Sequence, residues 1–282
     1  MKALPSFRSL RLSPARWLPL LAALWWLSGG ATPALRAQGL AISDAQALTA
    51  GKRLWKNECG GTVEGLTSWN AGEDFASLGI GHYIWYPKGR RGPFEESFPD
   101  LVRFLAAEKV SLPAWLASAD ACPWNSRAEF TRDRNSPRMK ELRALLTRTV
   151  GAQARFSANR LEAALPKMAD AAASGAERER VRRQFYRVAA SPGGAYALID
   201  YVNFKGEGVL QTERYKGRGW GLAQVLAGMS GDPSAPSGAE ALREYSASAA
   251  RVLTERVANS PAERGEARWL PGWKNRVRSY AP

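Results

Sequence analysis

A carboxyl group at the end of an apolar helical pattern is the main chemical feature of this sequence. Glu58 ends the pattern, which breaks at Gly60 and Gly61. A carboxyl at that position faces the negative end of the helix dipole, and aromatic neighbours would shield it from water. Both effects favour the protonated form that a general acid needs near neutral pH. We therefore predict that Glu58 is a general acid, with Glu64 as the local alternative.

Two further groups that could take part in catalysis follow within twenty residues. Glu73 could supply a second carboxylate, and the hydroxyl of Ser77 could position a water molecule. Residues 75–86 are rich in aromatic and branched side chains, which is typical of β-strands. This composition predicts a β-hairpin, which we expect to lie across a cleft from Glu58.

Three segments resemble parts of the lysozyme-like superfamily. Ser77-Leu-Gly-Ile-Gly-His82 resembles the Thr-Ile-Gly-Ile-Gly-His hairpin that follows the catalytic Glu of phage-type lysozymes. Glu58-Cys-Gly-Gly is similar to the Glu-Ser-Gly-Gly of goose-type lysozymes and lytic transglycosylases. Tyr215-Lys-Gly-Arg-Gly-Trp-Gly-Leu-Ala-Gln224 looks like the Gly-Leu-Met-Gln strip of the transglycosylases. It is also similar to the Gly-Arg-Gly-x-x-Gln segment of plant-type chitinases, with two extra residues before the Gln. The close matches cover about a fifth of the chain.

The resemblance implies an α+β, mainly helical fold with two lobes, in which a small β-hairpin lobe and a helical lobe flank a cleft. It implies cleavage of a β-1,4-linked aminosugar polymer, with Glu58 protonating the glycosidic oxygen. The Asp of phage-type lysozymes has no match, because Ala71 stands at its position and Glu73 is shifted. A missing second carboxylate favours the transglycosylase style, in which the one acid later acts as a base. Glu73 would otherwise be the base of an inverting hydrolase.

Six residues are candidates for contact with the sugar chain. They are Trp69, His82, Tyr83, Tyr215, Arg218 and Gln224. Aromatic rings can stack on sugar faces, but packing in the core is the more common use of Trp and Tyr. His82 could instead hold the hairpin through a hydrogen bond.

The first 37 residues have the pattern of a secretory signal peptide. Four basic residues precede an apolar run from Trp17 to Gly30, and small residues follow up to Ala37. The run is short for a membrane span, so cleavage near Ala37 is predicted, with an uncleaved anchor as the alternative. We expect one lysozyme-like catalytic domain over 38–282, in the periplasm or secreted.

The charge of the chain indicates an acidic partner. Forty Lys and Arg stand against 26 Asp and Glu, a net charge of +14, and loss of the five basic residues of the signal segment leaves +9. Export argues against nucleic acid, so an anionic envelope polymer such as peptidoglycan is the expected partner of a monomer. The alternatives are a chitinase- or chitosanase-like hydrolase and a non-catalytic protein that binds envelope glycans.

The two cysteines, Cys59 and Cys122, suggest one disulfide, because an even count in an exported chain favours pairing. Two buried free thiols are the alternative. A single histidine in the chain makes a zinc site or a His-based nucleophile triad improbable, and no cofactor or metal is expected.

Most of the remaining chain has helical patterns. Helices are predicted over 45–58, 156–173, 194–203 and 239–259, among others, with a glycine-containing loop over 205–221. The tail over 268–280 carries aromatic and basic residues, and its charges are expected to form a solvated face.

Overall fold

The computed structural model describes Leu40, residues 42–92 and residues 94–282, all within the compact unit Gln38–Pro282. The predicted signal peptide and its cleavage site lie outside the described residues. Within them no helix is long and apolar enough to cross a membrane.

Helices make up most of the described chain. They are α1 Asp44–Cys59, α2 Phe98–Ala107, α3 Ala114–Ala117, α4 Arg127–Arg132, α5 Pro137–Arg148, α6 Val150–Asp170, α7 Gly175–Ala189, α8 Gly194–Lys205, α9 Leu222–Ala227, α10 Ala239–Asn259 and α11 Leu270–Arg278. The strands are β1 Thr67–Ser68, β2 Ala76–Leu78, β3 Tyr83–Trp85, β4 Arg214–Tyr215 and β5 Arg218–Gly219. The expectation of an α+β, mainly helical fold is confirmed.

The ends of α1 follow from local chemistry. Ser43 and Gln46 form a capping box, in which each side chain accepts a hydrogen bond from the other residue's backbone N–H. Gly60 ends the helix in the left-handed conformation, with φ at 63°, and its N–H donates to the carbonyl of Trp55. Glu58 therefore lies in the last turn, as predicted.

The predicted β-hairpin is present and has a third strand. β1, β2 and β3 form an antiparallel sheet in which Ser77 lies opposite Ser68 on one side and Ile84 on the other. Side chains alternate between the two faces of a sheet. Leu78 and Trp85 enter the core on one face, whereas Ser77 and Ile84 share the other.

A buried glutamine of α6 ties the hairpin turn to the helical core. Gln153 is fully buried, and its Oε1 accepts a hydrogen bond from the N–H of Ile80 at 3.0 Å. Its Nε2 donates to the carbonyl of Leu146 at 2.7 Å. Helix α6 also packs against α1, α7 and α8, so one central helix connects the sheet to the rest of the core.

Two regions differ from the sequence-based expectation. The predicted loop over 205–221 contains the short antiparallel pair β4–β5. The tail contains α11, whose Val277 is buried, together with Tyr280 just after it. Helix α6 also begins at Val150, six residues before its predicted start.

The predicted disulfide is not formed, and Cys59 and Cys122 are buried free thiols. The sulfur of Cys59 lies 3.6 Å from the carbonyl oxygen of Gly79, before β3 begins. The backbone N–H of Cys122 donates to the carbonyl of Tyr86, after β3 ends. Cys59 thus contacts the hairpin turn that precedes β3, whereas Cys122 contacts the residue that follows β3.

Candidate active site

An open groove runs between the hairpin and the helices. Its volume is about 260 Å³. His82 and Ile84 line it from the sheet, Arg160 lines it from α6, and Asn203 lines it from α8. The outward face of β3 and the sides of two core helices therefore form its walls.

Glu58 lies next to His82, which lines the groove, although Glu58 is not itself one of the lining residues. Its side chain is 14% exposed, and its Oε2 is 3.8 Å from Nδ1 of His82. His82 adopts a left-handed backbone conformation, with φ at 48°, and its N–H donates to the carbonyl of Gly79 in the tight turn. His82 thus takes part in the turn through its backbone and also lines the groove, and a hydrogen bond of its imidazole that holds the hairpin stays a prediction.

Arg276 of α11 holds the other oxygen of the Glu58 carboxylate. Its Nη2 donates to Oε1 of Glu58. Nε and Nη2 of the same guanidinium donate to the two carboxylate oxygens of Asp200, both at 2.8 Å. A fixed bidentate pair with Asp200 thus positions the group that contacts Glu58.

Asp200 is completely buried and fully hydrogen-bonded. Besides Arg276, it accepts from the hydroxyl of Tyr280 at 2.6 Å and from Nδ2 of Asn57 at 3.0 Å. Burial lowers the pKa of Arg276, but the hydrogen bonds and charge of Asp200 and the charge of Glu58 outweigh this effect and raise it. Arg276 is therefore a permanent cation at the site.

Arg276 places a positive charge next to the Glu58 carboxyl group. The sequence indicates a helix dipole and desolvation, which both favour a protonated carboxyl. The structure adds a guanidinium bonded to Oε1, a contact that the sequence did not indicate. Oε2 remains on the side of His82, the residue that lines the groove.

Cys59, His82 and Glu58 lie next to one another in the order of the nucleophile, base and acid of a catalytic triad. The sulfur of Cys59 is 3.9 Å from Nε2 of His82. Burial, with a smaller contribution from the charge of Glu58, raises the pKa of this thiol to about 12. A thiol at a helix C-terminus next to a carboxylate is a poor source of thiolate, so the alignment does not make a cysteine nucleophile.

The second predicted carboxylate is not brought to Glu58. Glu73 lies in the loop between β1 and β2, beyond the end of the sheet that is remote from the hairpin turn. One of its carboxylate oxygens is enclosed and has no hydrogen-bond partner in the described part of the chain. Ser77 is 4% exposed and shares the face of Ile84, the residue that lines the groove. Glu64 is exposed and away from the groove lining.

Trp69 and Tyr83 belong to the core. Trp69 is buried, packs against Phe130, and donates its indole N–H to the carbonyl of Glu73. Its predicted role in sugar stacking is therefore wrong, and the core alternative holds. Tyr83 is 4% exposed and its hydroxyl bonds to Gln153 and Ser157, although part of its side chain reaches the groove wall.

The three candidates from the Tyr215–Gln224 segment lie away from the groove. Arg218 and Gln224 line a separate cavity near β4–β5, and Gln224 donates to the carbonyl of Gly208 and accepts from the N–H of Gly221. Tyr215 donates its hydroxyl to Glu266 at 2.9 Å. The structure brings Arg218 and Gln224 together but does not place them, or Tyr215, with His82 or Glu58.

Sequence reasoning missed Asp200 and Arg276. Asp200 could have been found, because it is the single acid in the apolar stretch 194–203. A carboxylate buried in such a stretch needs a cation or several hydrogen-bond donors as partners. The partner itself was not identifiable, because the tail over 268–280 offers four basic residues with similar spacing.

No cluster of three or more potential metal ligands occurs in the described chain. Comparisons with models of protein families, with curated proteins and with solved structures find no match.

Proposed function

We propose that this chain cleaves the β-1,4-linked aminosugar backbone of peptidoglycan, with Glu58 as its general acid. The observation that carries the proposal is the placement of Glu58 in the last turn of α1, where Arg276 holds one oxygen and the other lies 3.8 Å from His82, a residue of the hairpin turn that lines the groove. An acid at a helix end next to a β-hairpin is what the lysozyme-like resemblance leads us to expect.

Glu58 would act through Oε2. Arg276 occupies Oε1, so the proton for the glycosidic oxygen would reside on the oxygen facing His82. A substrate that excludes water from the groove would favour the neutral carboxyl, since desolvation penalises the charged form. Arg276 would then stabilise the carboxylate left after proton transfer.

The position of Glu73 supports the transglycosylase style over the inverting hydrolase. An inverting enzyme needs two carboxyl groups about 6.5–9.5 Å apart across the scissile bond. Glu73 lies beyond the end of the sheet that is remote from the hairpin turn and from His82, and one of its oxygens is enclosed. In the single-acid route, Glu58 would take a proton from the sugar after first giving one.

The decisive experiment is cleavage of purified peptidoglycan by the wild type and by Glu58→Gln. The amide is nearly isosteric but cannot donate a proton, so activity should fall by about 10²–10⁴-fold or more while the fold is kept. Glu64→Gln is the matched control, because Glu64 is exposed six residues further on. Mass spectrometry of the products should find 1,6-anhydro ends.

Two results would contradict the proposal. Normal cleavage by Glu58→Gln would move the acid elsewhere. Glycan binding without cleavage by the wild type would favour the non-catalytic alternative. The predicted signal peptide agrees with action in the periplasm or outside the cell, where this polymer is found.

A further inference from the structure

A stack of alternating basic side chains and aromatic rings begins at the partner of Glu58. We call it the basic–aromatic stack, and its members are Arg276, Phe204, Lys205, Trp273, Arg256 and Trp220. The ammonium nitrogen of Lys205 lies 3.9 Å from the ring centre of Phe204 and 3.3 Å from that of Trp273. Lys205 thus occupies an aromatic clamp at the end of α8.

Lys205 has no carboxylate partner, unlike the two arginines of the stack. Arg276 pairs with Asp200 and Glu58, and Arg256 pairs with Glu266 through two hydrogen bonds of 2.8 Å. Within the described residues, Lys205 forms no ion pair and donates no side-chain hydrogen bond. The carboxylates next to the stack, Glu58, Asp200 and Glu266, therefore all pair with arginines.

The ammonium group is unfavourably placed in the free protein. Lys205 is 9% exposed, and burial lowers its pKa to about 6, assisted by the charges of Arg256 and Arg276 and partly opposed by Glu266. Near neutral pH the amine is therefore largely uncharged. A nearby anion would restore the charged form.

Lys205 lies near Arg276, the residue that contacts Glu58, and its amine reaches solvent. Arg276 and Lys205 both pack against the ring of Phe204, at 4.3 Å and 3.9 Å from its centre. The guanidinium carbon and the amine nitrogen are therefore at most about 8 Å apart, the sum of these two distances. The Lys205 nitrogen has no hydrogen-bond partner in the described chain. It is nevertheless not among the fully enclosed atoms that lack a partner, which belong to Glu73, Thr147 and Arg214, so the amine is in contact with water. Phe204 and Trp273 beside it are only half-buried.

We propose that Lys205 is the recognition site for a carboxylate of the glycan substrate. The ligand class is therefore an acidic aminosugar polymer, such as peptidoglycan with its lactyl and peptide carboxylates, and not neutral chitin. The inference rests on the proposed function for its setting near Glu58, but carboxylate binding can be measured without cleavage. On binding, the carboxylate accepts a hydrogen bond from Lys205, which takes up one proton from the buffer.

The test is calorimetric titration at pH 7.5 with two disaccharides. One is N-acetylglucosaminyl-N-acetylmuramic acid with a free lactyl carboxylate, and the other is neutral diacetylchitobiose. The wild type should bind the acidic disaccharide about tenfold more tightly or better, as expected for a charge-assisted hydrogen bond. Its binding heat should vary with the ionisation enthalpy of the buffer, which reports the proton taken up. Its affinity should weaken as the pH rises above about 6, where the free amine loses its proton.

Three variants separate recognition from structure. Lys205→Met should reduce binding of the acidic disaccharide to the level of diacetylchitobiose and abolish proton uptake. Lys205→Arg should keep a preference for the acid but lose proton uptake, because arginine does not titrate in this range. Lys140→Met, which removes an exposed charge from α5, should change nothing.

Unchanged binding of the acidic disaccharide by Lys205→Met would overturn the inference, as would binding of neither disaccharide by the wild type. Failure of the proposed function has a separate signature, which is cleavage of peptidoglycan by Glu58→Gln or the absence of cleavage by the wild type. If the protein binds the acidic disaccharide through Lys205 but does not cleave peptidoglycan, the inference holds and the proposed enzymatic function is wrong.

Discussion

The Glu58–Arg276–Asp200 contact brings together residues that are far apart in the sequence. Asp200 is fully buried and shares two hydrogen bonds with Arg276, which in turn contacts Glu58. The loss of one member of a buried ion pair leaves the other member uncompensated, which is usually more damaging than the loss of a surface charge. The orientation of Glu58 therefore depends on a residue that does not line the groove.

Asp200→Asn should destabilise the protein by about 3–5 kcal/mol, the usual cost of breaking a buried pair. The amide cannot balance the charge of Arg276, and its NH₂ group cannot accept a hydrogen bond. Chemical denaturation measures the change. Asp120→Asn, at an exposed position, should stay within about 0.5 kcal/mol. Equal stability of the two variants would show that Arg276 does not need Asp200.

At the residue scale, the sequence predicted the position of Glu58 at a helix end but not the charged groups around it. The helix end and the glycine break are local features, so the position of Glu58 in the last turn was predictable. The contact with Arg276 joins residues 218 positions apart. No local pattern specifies such a pair. Trp69 was misassigned for a similar reason, since its burial depends on Phe130 of α4.

At the element scale, the hairpin turn is fitted tightly against α6. Gly79 has φ at 72°, and a Cβ there would overlap Oε1 of Gln153, the atom that accepts the hydrogen bond of Ile80. Gly72, in the preceding loop, also has a positive φ of 84°, but a Cβ there would meet no atom within 4 Å. The two glycines thus share a backbone requirement and differ in packing.

Gly79→Ala should therefore be more destabilising than Gly72→Ala. Both variants place a Cβ in the left-handed region, at a cost of about 1–2 kcal/mol. Gly79→Ala adds a clash with Gln153, which typically costs a further ~1–3 kcal/mol. The free energies of unfolding of the two variants measure the difference directly. Similar values would show that the turn can move away from α6 without loss.

Elements with strong local signals were predictable, and elements that depend on distant partners were not. Helix α10 spans the predicted range 239–259, and the hairpin formed where aromatic and branched residues alternate. Helix α11 was missed because Val277 is its one buried residue and stands among basic neighbours. It is stabilised by packing against α10, which the tail sequence alone does not indicate.

At the scale of the whole molecule, the excess of positive charge reaches the interior. The chain carries 40 Lys and Arg against 26 Asp and Glu. Arg276 pairs with Asp200, and Arg256 pairs with Glu266. Lys205, which packs against the ring of Trp273, has no carboxylate partner in the described part of the chain. The folded state therefore includes a lysine that is more easily protonated when the chain unfolds.

This difference in protonation predicts how stability depends on pH. The pKa of Lys205 is about 6 in the folded protein and about 10.4 in an unfolded chain. Between these values the unfolded state binds more protons, so the free energy of unfolding should rise with pH, by up to about 1.4 kcal/mol per unit. Lys205→Met removes the group, so it should be more stable than the wild type near pH 6–7, with a gap that narrows towards pH 10. Thermal unfolding of both proteins across this range measures the gap, and Lys140→Met should show no such trend. A gap that does not change with pH would mean that Lys205 remains charged in the folded protein.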